Sequence, residues 1–253
     1  MQGGWTAGAD AYLRLQSRRG VEQRCWDRDG VAALQQVGWR GAVVLTAVGR
    51  PEAAAALLVD VVGAGHDLPQ RVTLPRGTVE VLVRTAPAVA ARLRGGADWE
   101  WMWTDTAPDL QPGEGHVVRL DACDHPAVAA LLAVASPRSS AAAGDPRVER
   151  WVGLRDEVGG LRGALVAAAA NEPVAPPVPH LASIGTHPGR RGEGLGAAVT
   201  SALTRALLAE GSQAVTLGMY SDNAVARRMY ARLGFRCDHL FSSRVLVPAR
   251  RVG

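Results

Sequence analysis

The stretch from Ile184 to Gly196, IGTHPGRRGEGLG, decides the fold of this 253-residue chain. It follows a strand-like run, His180 to Thr186, and it leads into a helix that an apolar stripe predicts from Ala197 to Glu210. The start of a helix leaves backbone N–H groups without partners and carries partial positive charge. Glycine lets such a backbone approach a ligand without a side-chain clash. The stretch therefore predicts a diphosphate site, with a plain glycine-rich turn as the alternative.

A second motif follows on a helix predicted from Asn223 to Leu233. Its sequence is Asn223-x-x-Ala226-x-x-x-Tyr230, and Leu233-Gly-Phe235 comes next. Asn223 and Tyr230 lie two helical turns apart, so they share a face and can reach one extended ligand. Each residue also has a structural interpretation: Asn223 as a helix cap, and Tyr230 as a buried ring whose hydroxyl bonds the backbone.

Together the two motifs resemble the GNAT superfamily of N-acetyltransferases, in which a loop of the form R/Q-x-x-G-x-G/A binds pyrophosphate. Arg191, Gly194 and Gly196 fit the loop positions, and the resemblance covers about residues 116–247. It implies an α/β (α+β layered) fold, with a GNAT-like mixed sheet flanked by helices and a smaller α/β N-terminal domain.

The resemblance also implies a reaction, direct transfer of an acetyl group from acetyl-coenzyme A to an amine. It places the coenzyme in a V-shaped opening between two parallel strands, His180 to Thr186 and Ala214 to Met219. Tyr230 is implied as the general acid near the sulfur. The implied coenzyme-binding residues are Ile184, Gly185, Thr186, Arg191, Gly192, Glu193, Gly194, Leu195, Gly196, Ala197 and Asn223.

The general base is not identified by the sequence. Glu172 and His180 lie before or at the start of the central strand, although His180 is better explained as an ordinary strand-end residue. His187 is expected to be structural or solvated. No His, Cys and Asp cluster has metal-ligand spacing, so no metal is expected.

Proline and glycine in the stretch Ala107 to Gly115 mark a domain boundary. The predicted domains are an N-terminal α/β domain at 1–106, a linker at 107–115 and an acetyltransferase domain at 116–253. The second half predicts the order β-α-β-β-β-α-β-α-β. In the first half, Thr78 to Arg84 fits a strand or a helix, and the N-terminal half is interpreted as a degenerate GNAT copy without coenzyme that shapes the acceptor pocket or an interface.

The remaining features of the first half are structural. Trp99, Trp101 and Trp103 share one strand face, which favours a core or a domain seam over ligand stacking. Gly63-Ala-Gly65 lacks the arginine and the third glycine of a phosphate loop.

The amino-acid composition limits the cellular compartment and the binding partners that we expect for this chain. The net charge is +4, Lys is absent, and the three cysteines form no CxxC pair, so we expect a reduced, cytoplasmic protein. A Walker-type loop is excluded because its lysine is missing. We expect a small-molecule or peptide amine as acceptor and no nucleic-acid or membrane partner, with a homodimer left open. A non-catalytic acyl-coenzyme A sensor and a dinucleotide-dependent enzyme are the alternative functions.

Overall fold

The computed structural model describes residues 10–16, 23–28, 30–38, 41–65, 67–158, 161–173 and 177–248. The chain divides into two compact units. Unit 1 comprises Met1–Trp101, Met219–Asp222 and Cys237–Gly253, and unit 2 comprises Met102–Gly218 and Asn223–Arg236. Each unit contains a sheet with helices packed against it, so the predicted mixed α/β fold is confirmed.

Unit 1 is built on a sheet with the strand order β1-β2-β3-β4-β11-β5. Its strands are β1 (Gln23–Arg28), β2 (Val31–Val37), β3 (Val43–Gly49), β4 (Arg71–Pro75), β5 (Leu93–Thr104), which ends in unit 2, and β11 (Arg236–Leu246). Its helices are α1 (Ala11–Gln16), α2 (Pro51–Ala64), α3 (Thr78–Thr85) and α4 (Pro87–Ala90). Fully buried Leu57 and Leu58 of α2 pack with Leu45, Val72 and Leu74 of the sheet.

Unit 2 is built on a sheet with the strand order β10-β9-β8-β7-β6. Its strands are β6 (Val118–Leu120), β7 (Arg150–Val158), β8 (Leu161–Asn171), β9 (His180–Thr186) and β10 (Val215–Tyr220), which ends in unit 1. Its helices are α5 (His125–Ala135), α6 (Leu195–Ala209) and α7 (Ala224–Arg232). The predicted order of elements in the second half is therefore confirmed.

The same chain path occurs in both units. In unit 1, β2 pairs antiparallel with β3, and β3 pairs in parallel with β4 across the crossover helix α2. In unit 2, β8 pairs antiparallel with β9, and β9 pairs in parallel with β10 across α6. The two crossovers differ in one respect: Arg50 alone separates β3 from α2, whereas residues 187–194 separate β9 from α6.

The division into units differs from the predicted domains at the C-terminus. The sequence pattern predicts a last strand from Leu240 to Val247, whereas the final strand begins at Arg236. It pairs antiparallel with β4, as at Phe241↔Pro75 and Arg244↔Val72. Backbone pairing thus places this strand in unit 1 from Cys237 onward. The sequence could not predict this partner, because strand patterns specify faces and not neighbours.

The predicted linker 107–115 packs against α6. Glu114 accepts a hydrogen bond from the Ser201 hydroxyl at 2.8 Å and pairs with Arg205 at 3.2 Å, and Arg205 also donates to the Pro108 carbonyl at 2.7 Å. These bonds hold the segment against the helix that begins at the glycine-rich loop.

The structure decides between the two interpretations of Thr78 to Arg84. Thr78 to Arg84 is the helix α3, not a strand, because only the helical alternative buries Thr78, Val81 and Leu82 on one face. The sequence also predicts Asp124 as the side-chain cap of a helix from Asp124 to Ala135, but Asp124 makes no side-chain cap bond to α5. Instead, Asp121 and Asp124 form a capping box around a preceding 3-10 turn, and Asp124 pairs with Arg155.

The three tryptophans pack rather than line a ligand site. Trp101 is fully buried against Tyr12, and Trp99 lies 5.0 Å from the ring of Phe241. Trp103 in unit 2 lies beneath the Arg236 guanidinium, 4.0 Å from the ring centroid.

Across the part of the chain that the structure describes, no helix has the length and apolar character that a membrane span requires.

Candidate functional site

Strand β9 has an irregularity in its middle, and its pairing with β10 stops before that point. Its pairing with β10 is limited to His180↔Thr216 and Leu181↔Leu217, and within the described residues it does not continue to Ile184 or Thr186. Opposite a register shift in β8, Ser183 adopts a left-handed φ of 50°. The part of β9 that pairs with β10 therefore ends at Leu181.

The left-handed backbone at Ser183 is fixed by the loop that follows α5. The Ser183 hydroxyl donates to the Ala141 carbonyl at 2.9 Å and accepts from the Ala141 N–H at 3.0 Å. A bulge of this kind turns the strand locally and is common beside active sites. The alternation of residues gave no sign of it, because a bulge requires one extra residue that the pattern does not reveal.

The turn after β9 uses side-chain and backbone bonds. The His187 N–H donates to the Val166 carbonyl at 2.8 Å, and the His187 Nδ1 accepts from the Gly189 N–H at 3.2 Å. Pro188–Arg190 then forms a 3-10 turn. The structural interpretation of His187 is thus confirmed.

Glycines of the loop are required for two different physical reasons. Gly192 and Gly194 have φ values of 86° and 80°, a region that other residues rarely adopt, and a Cβ at either would meet no atom within 4 Å. At Gly196 a Cβ would lie 3.1 Å from the Thr186 hydroxyl oxygen and 3.5 Å from the Met229 sulfur. Gly192 and Gly194 therefore set the backbone path, and Gly196 lets α6 approach β9 and α7.

Helix α6 begins without a side-chain cap. Gly194 is its N-cap and provides no side-chain acceptor, and the first hydrogen bond within the helix runs from Ala198 N–H to the Gly194 carbonyl. The N–H groups of Leu195, Gly196 and Ala197 precede that bond, so they have no acceptor within the helix. With the partial positive charge of a long helix, this start can bind an anion.

The two loop arginines, which the sequence treats as equivalent sources of charge, have different surroundings. Arg190 donates to both carboxylate oxygens of Glu193, at 2.8 and 3.0 Å from Nε, and also pairs with Asp156. Arg191 donates to the Ala135 carbonyl at 3.2 Å. The charge available to an anion in the loop is therefore that of Arg191.

Asn223 and Tyr230 occupy the start and the buried face of α7. The Asn223 side-chain oxygen accepts from the Ala226 N–H at 3.1 Å, so the capping interpretation is confirmed. The Tyr230 ring is 6% exposed and packs edge-on against Phe235 at 6.0 Å. Its hydroxyl has no hydrogen-bond partner among the described residues, and burial raises the pKa of this phenol well above its usual value.

The two candidate bases are both engaged by other residues. Glu172 is buried and pairs with Arg147 at 2.7 Å. His180 contacts the Thr216 hydroxyl at 2.9 Å, and enclosure by protein lowers its pKa to about 4, although part of its surface remains exposed. A histidine with so low a pKa is neutral at pH 7 but a weak base, which favours the structural interpretation.

The titration of His180 predicts how stability depends on acidity. Because its pKa is about 4 in the folded chain and near 6.5 when unfolded, the unfolded state binds more protons between these values. Stability should therefore fall as the pH drops from about 6.5 toward 4. Urea unfolding at pH 7, 5.5 and 4.5 should show a smaller loss in His180→Gln than in the parent. The exposed His116→Gln serves as the control, and an identical acid dependence in all three proteins would contradict the prediction.

One group of side chains that could bind a metal ion was not predicted from the sequence. Donor atoms of Asp121, Cys123 and Asp124 lie within 4.8 Å of one another. The carboxylates already accept backbone N–H bonds in the capping box, and Asp124 pairs with Arg155. The cluster is explained as a helix-start structure.

Comparison with known proteins tests the predicted fold. Residues 157–244 match the family described as FR47-like protein. A GNAT-family protein from Novosphingobium aromaticivorans is 23% identical, over 89% of this chain and 92% of its own, with a TM-score of 0.53. A GCN5-related N-acetyltransferase from Sphaerobacter thermophilus is 16% identical, over 87% of this chain and 78% of its own, with a TM-score of 0.54.

The fold is that of the GNAT superfamily. No curated protein matches the chain. The resemblance predicted from the loop and the α7 motif is thereby confirmed for the fold, and the likeness to the Novosphingobium protein extends over 89% of this chain.

Proposed function

We propose that this GNAT chain is an N-acetyltransferase that moves the acetyl group of acetyl-coenzyme A to an amine of a small molecule or peptide. The observation that carries the proposal is the uncapped start of α6 behind two left-handed glycines, next to a strand whose second half is not paired with β10. An acyl thioester whose carrier has a diphosphate and an extended amide arm suits both features. The helix start would bind the diphosphate, and the unpaired strand would pair with the amide arm.

The residues present fit such a cosubstrate. The amides of Leu195, Gly196 and Ala197 would donate to the diphosphate, and Arg191 would add charge. The backbone of Ile184 to Thr186 would pair with the amides of the arm, as an added strand does. These contacts would bind and orient the thioester, which lowers the barrier by fixing the reacting atoms.

The chemical step requires a neutral amine and a proton for the departing sulfur. The amine nitrogen attacks the thioester carbonyl, the carbon–sulfur bond breaks, and the amine proton is released. The Tyr230 phenol, whose pKa is raised by burial, is protonated at pH 7 and would donate its proton to the developing thiolate. The proton that the amine releases would then restore the phenol. With Glu172 paired and His180 weakly basic, the amine proton would leave through water.

The N-terminal half is proposed to be the second copy of the fold, without its own coenzyme site. Its crossover β3-α2-β4 follows the same path, but Arg50 alone replaces the loop of the second copy. Gly49 packs so closely that a Cβ would lie 2.3 Å from the Gly30 carbonyl. Gly65 is the left-handed cap that ends α2, so Gly63-Ala-Gly65 is a helix end.

The proposal is tested by ligand-dependent thermal shift followed by turnover. Acetyl-coenzyme A should raise the unfolding midpoint and NAD should not, because residues 187–194 form a longer loop than the tight turn of a dinucleotide fold. Thiol release from acetyl-coenzyme A across a panel of amines then identifies the acceptor class. Stabilisation by NAD alone would contradict the proposal.

Asn223 can serve both as a cap and as a coenzyme contact, and two substitutions separate these roles. Asn223→Ala should lower the free energy of unfolding by about 1 kcal/mol through the lost cap. Asn223→Ser should retain the stability, because serine caps as well, but it lacks the amide donor and should bind acetyl-coenzyme A more weakly than the parent. Urea unfolding and calorimetry measure the two effects. Parental affinity in Asn223→Ser would leave Asn223 as a cap only.

A further inference from the structure

The glycine-rich loop of unit 2 contains an acid in a place where an acid should weaken anion binding. Glu193 lies between Gly192 and Gly194, directly before the uncapped start of α6. A carboxylate there repels a diphosphate unless its charge is compensated, since like charges a few ångströms apart disfavour each other even at the surface.

Arg190 supplies that compensation. Its Nε donates to both oxygens of Glu193, and its Nη2 donates to one of them at 2.8 Å. The bond to Arg190 lowers the pKa of Glu193, so this carboxylate stays ionised and paired. The third nitrogen, Nη1, pairs with Asp156 on β7. Each guanidinium nitrogen of Arg190 is thus directed at a carboxylate, and an arriving phosphate would have to displace one.

Arg191, the neighbouring cation, has no carboxylate partner among the described residues. It donates to the Ala135 carbonyl at the end of α5, and its guanidinium remains exposed. The two arginines therefore differ in their partners. Carboxylates compensate the charge of Arg190, whereas no carboxylate of the described residues compensates the charge of Arg191.

We propose that Arg190 is a positioning residue for the diphosphate loop, which neutralises Glu193 and ties the loop to Asp156 of β7 while leaving direct phosphate contact to Arg191. The inference rests on the proposed function, because the ligand it concerns is the diphosphate of the coenzyme. It assigns opposite roles to two adjacent arginines that the loop motif does not distinguish.

Removing the Arg190 guanidinium should weaken the binding of acetyl-coenzyme A but should hardly change the stability of the fold. Exposed ion pairs contribute little to folding, so Arg190→Ala should unfold at nearly the parental temperature. The same change leaves Glu193 and Asp156 uncompensated beside the ligand, and acetyl-coenzyme A should bind about tenfold more weakly.

A double-mutant cycle on the full chain, with acetyl-coenzyme A as the titrant, tests the assignment. Glu193→Gln should restore most of the affinity in the Arg190→Ala background, since the unpaired acid is then removed. The coenzyme contact that the resemblance implies for Glu193 would be made by its backbone N–H, which glutamine keeps. In the parent and in the matched Arg191→Ala background, the same substitution should therefore change affinity by less than about twofold, because Arg190 already neutralises the Glu193 carboxylate. Arg190→Gln serves as a second variant with a side chain of similar polarity.

The outcomes separate the inference from the function on which it rests. Absence of binding by the parent chain would overturn both. Binding by the parent without rescue in the double variant, or with equal rescue in the Arg190→Ala and Arg191→Ala backgrounds, would overturn only the positioning role. Tighter binding by Glu193→Gln alone, with no rescue of Arg190→Ala, would identify Arg190 as a direct phosphate ligand.

Discussion

Gly194→Glu should weaken acetyl-coenzyme A binding by at least about 100-fold, the largest loss of affinity expected from a single change in this chain. Gly194 has a φ of 80° and caps α6 without a side chain. A glutamate there would bring its own carboxylate to the helix start, where it would accept the N–H bonds proposed for the diphosphate and repel the ligand.

The same substitution should leave the chain folded. The left-handed backbone costs a side chain of this kind on the order of 1 kcal/mol, and a negative charge at a helix start offsets part of that cost. Gly211→Glu is the matched control, because Gly211 also has a positive φ of 95° with no atom near its Cβ, but follows the opposite end of α6. Calorimetry should show parental affinity in Gly211→Glu, and equal losses in both variants would refute the proposed anion site.

Tyr230→Phe should reduce turnover by about 100-fold while the Kd for acetyl-coenzyme A changes by less than about twofold. The ring is buried and packs on Phe235, so phenylalanine keeps the packing. The hydroxyl has no hydrogen-bond partner among the described residues, so its loss should leave the unfolding midpoint nearly unchanged. The proposed proton donation is then the only property removed.

Tyr12→Phe provides the contrasting control. Tyr12 bonds Thr46 within unit 1, so its variant should be less stable but should turn over normally. Thiol release that is present in the parent and strongly reduced in Tyr230→Phe, with binding retained, would also identify an enzyme. A non-catalytic acyl-coenzyme A sensor should show no turnover in any variant, including the parent. A parental rate in Tyr230→Phe would remove this residue from the mechanism.

Local order in unit 2 was predictable because its signals are short-range. The apolar stripe of α6, the glycines before it and the Asn223 cap each depend on residues within one or two turns of the chain. For the same reason the glycine-rich loop and the α7 motif could be recognised together without knowing the structure between them.

Other features could not be predicted, because they depend on contacts between residues that are far apart in the sequence. The pairing of β11 with β4 joins residues near 241 and 75, and no local pattern specifies that neighbour. The bulge at Ser183 is stabilised by Ala141, and the charge of Arg190 is taken up by Asp156 on another strand. Two adjacent arginines that look alike in the sequence therefore differ in the folded chain.

Calorimetric titration of the purified full chain with acetyl-coenzyme A tests the central claim most directly. The structure predicts saturable binding at one site per chain, because β9-α6 has the loop and Arg50 alone connects β3 to α2. It also predicts that Gly194→Glu loses this binding. A parent chain that gives no binding, or a Gly194→Glu variant that binds as the parent does, would contradict the account.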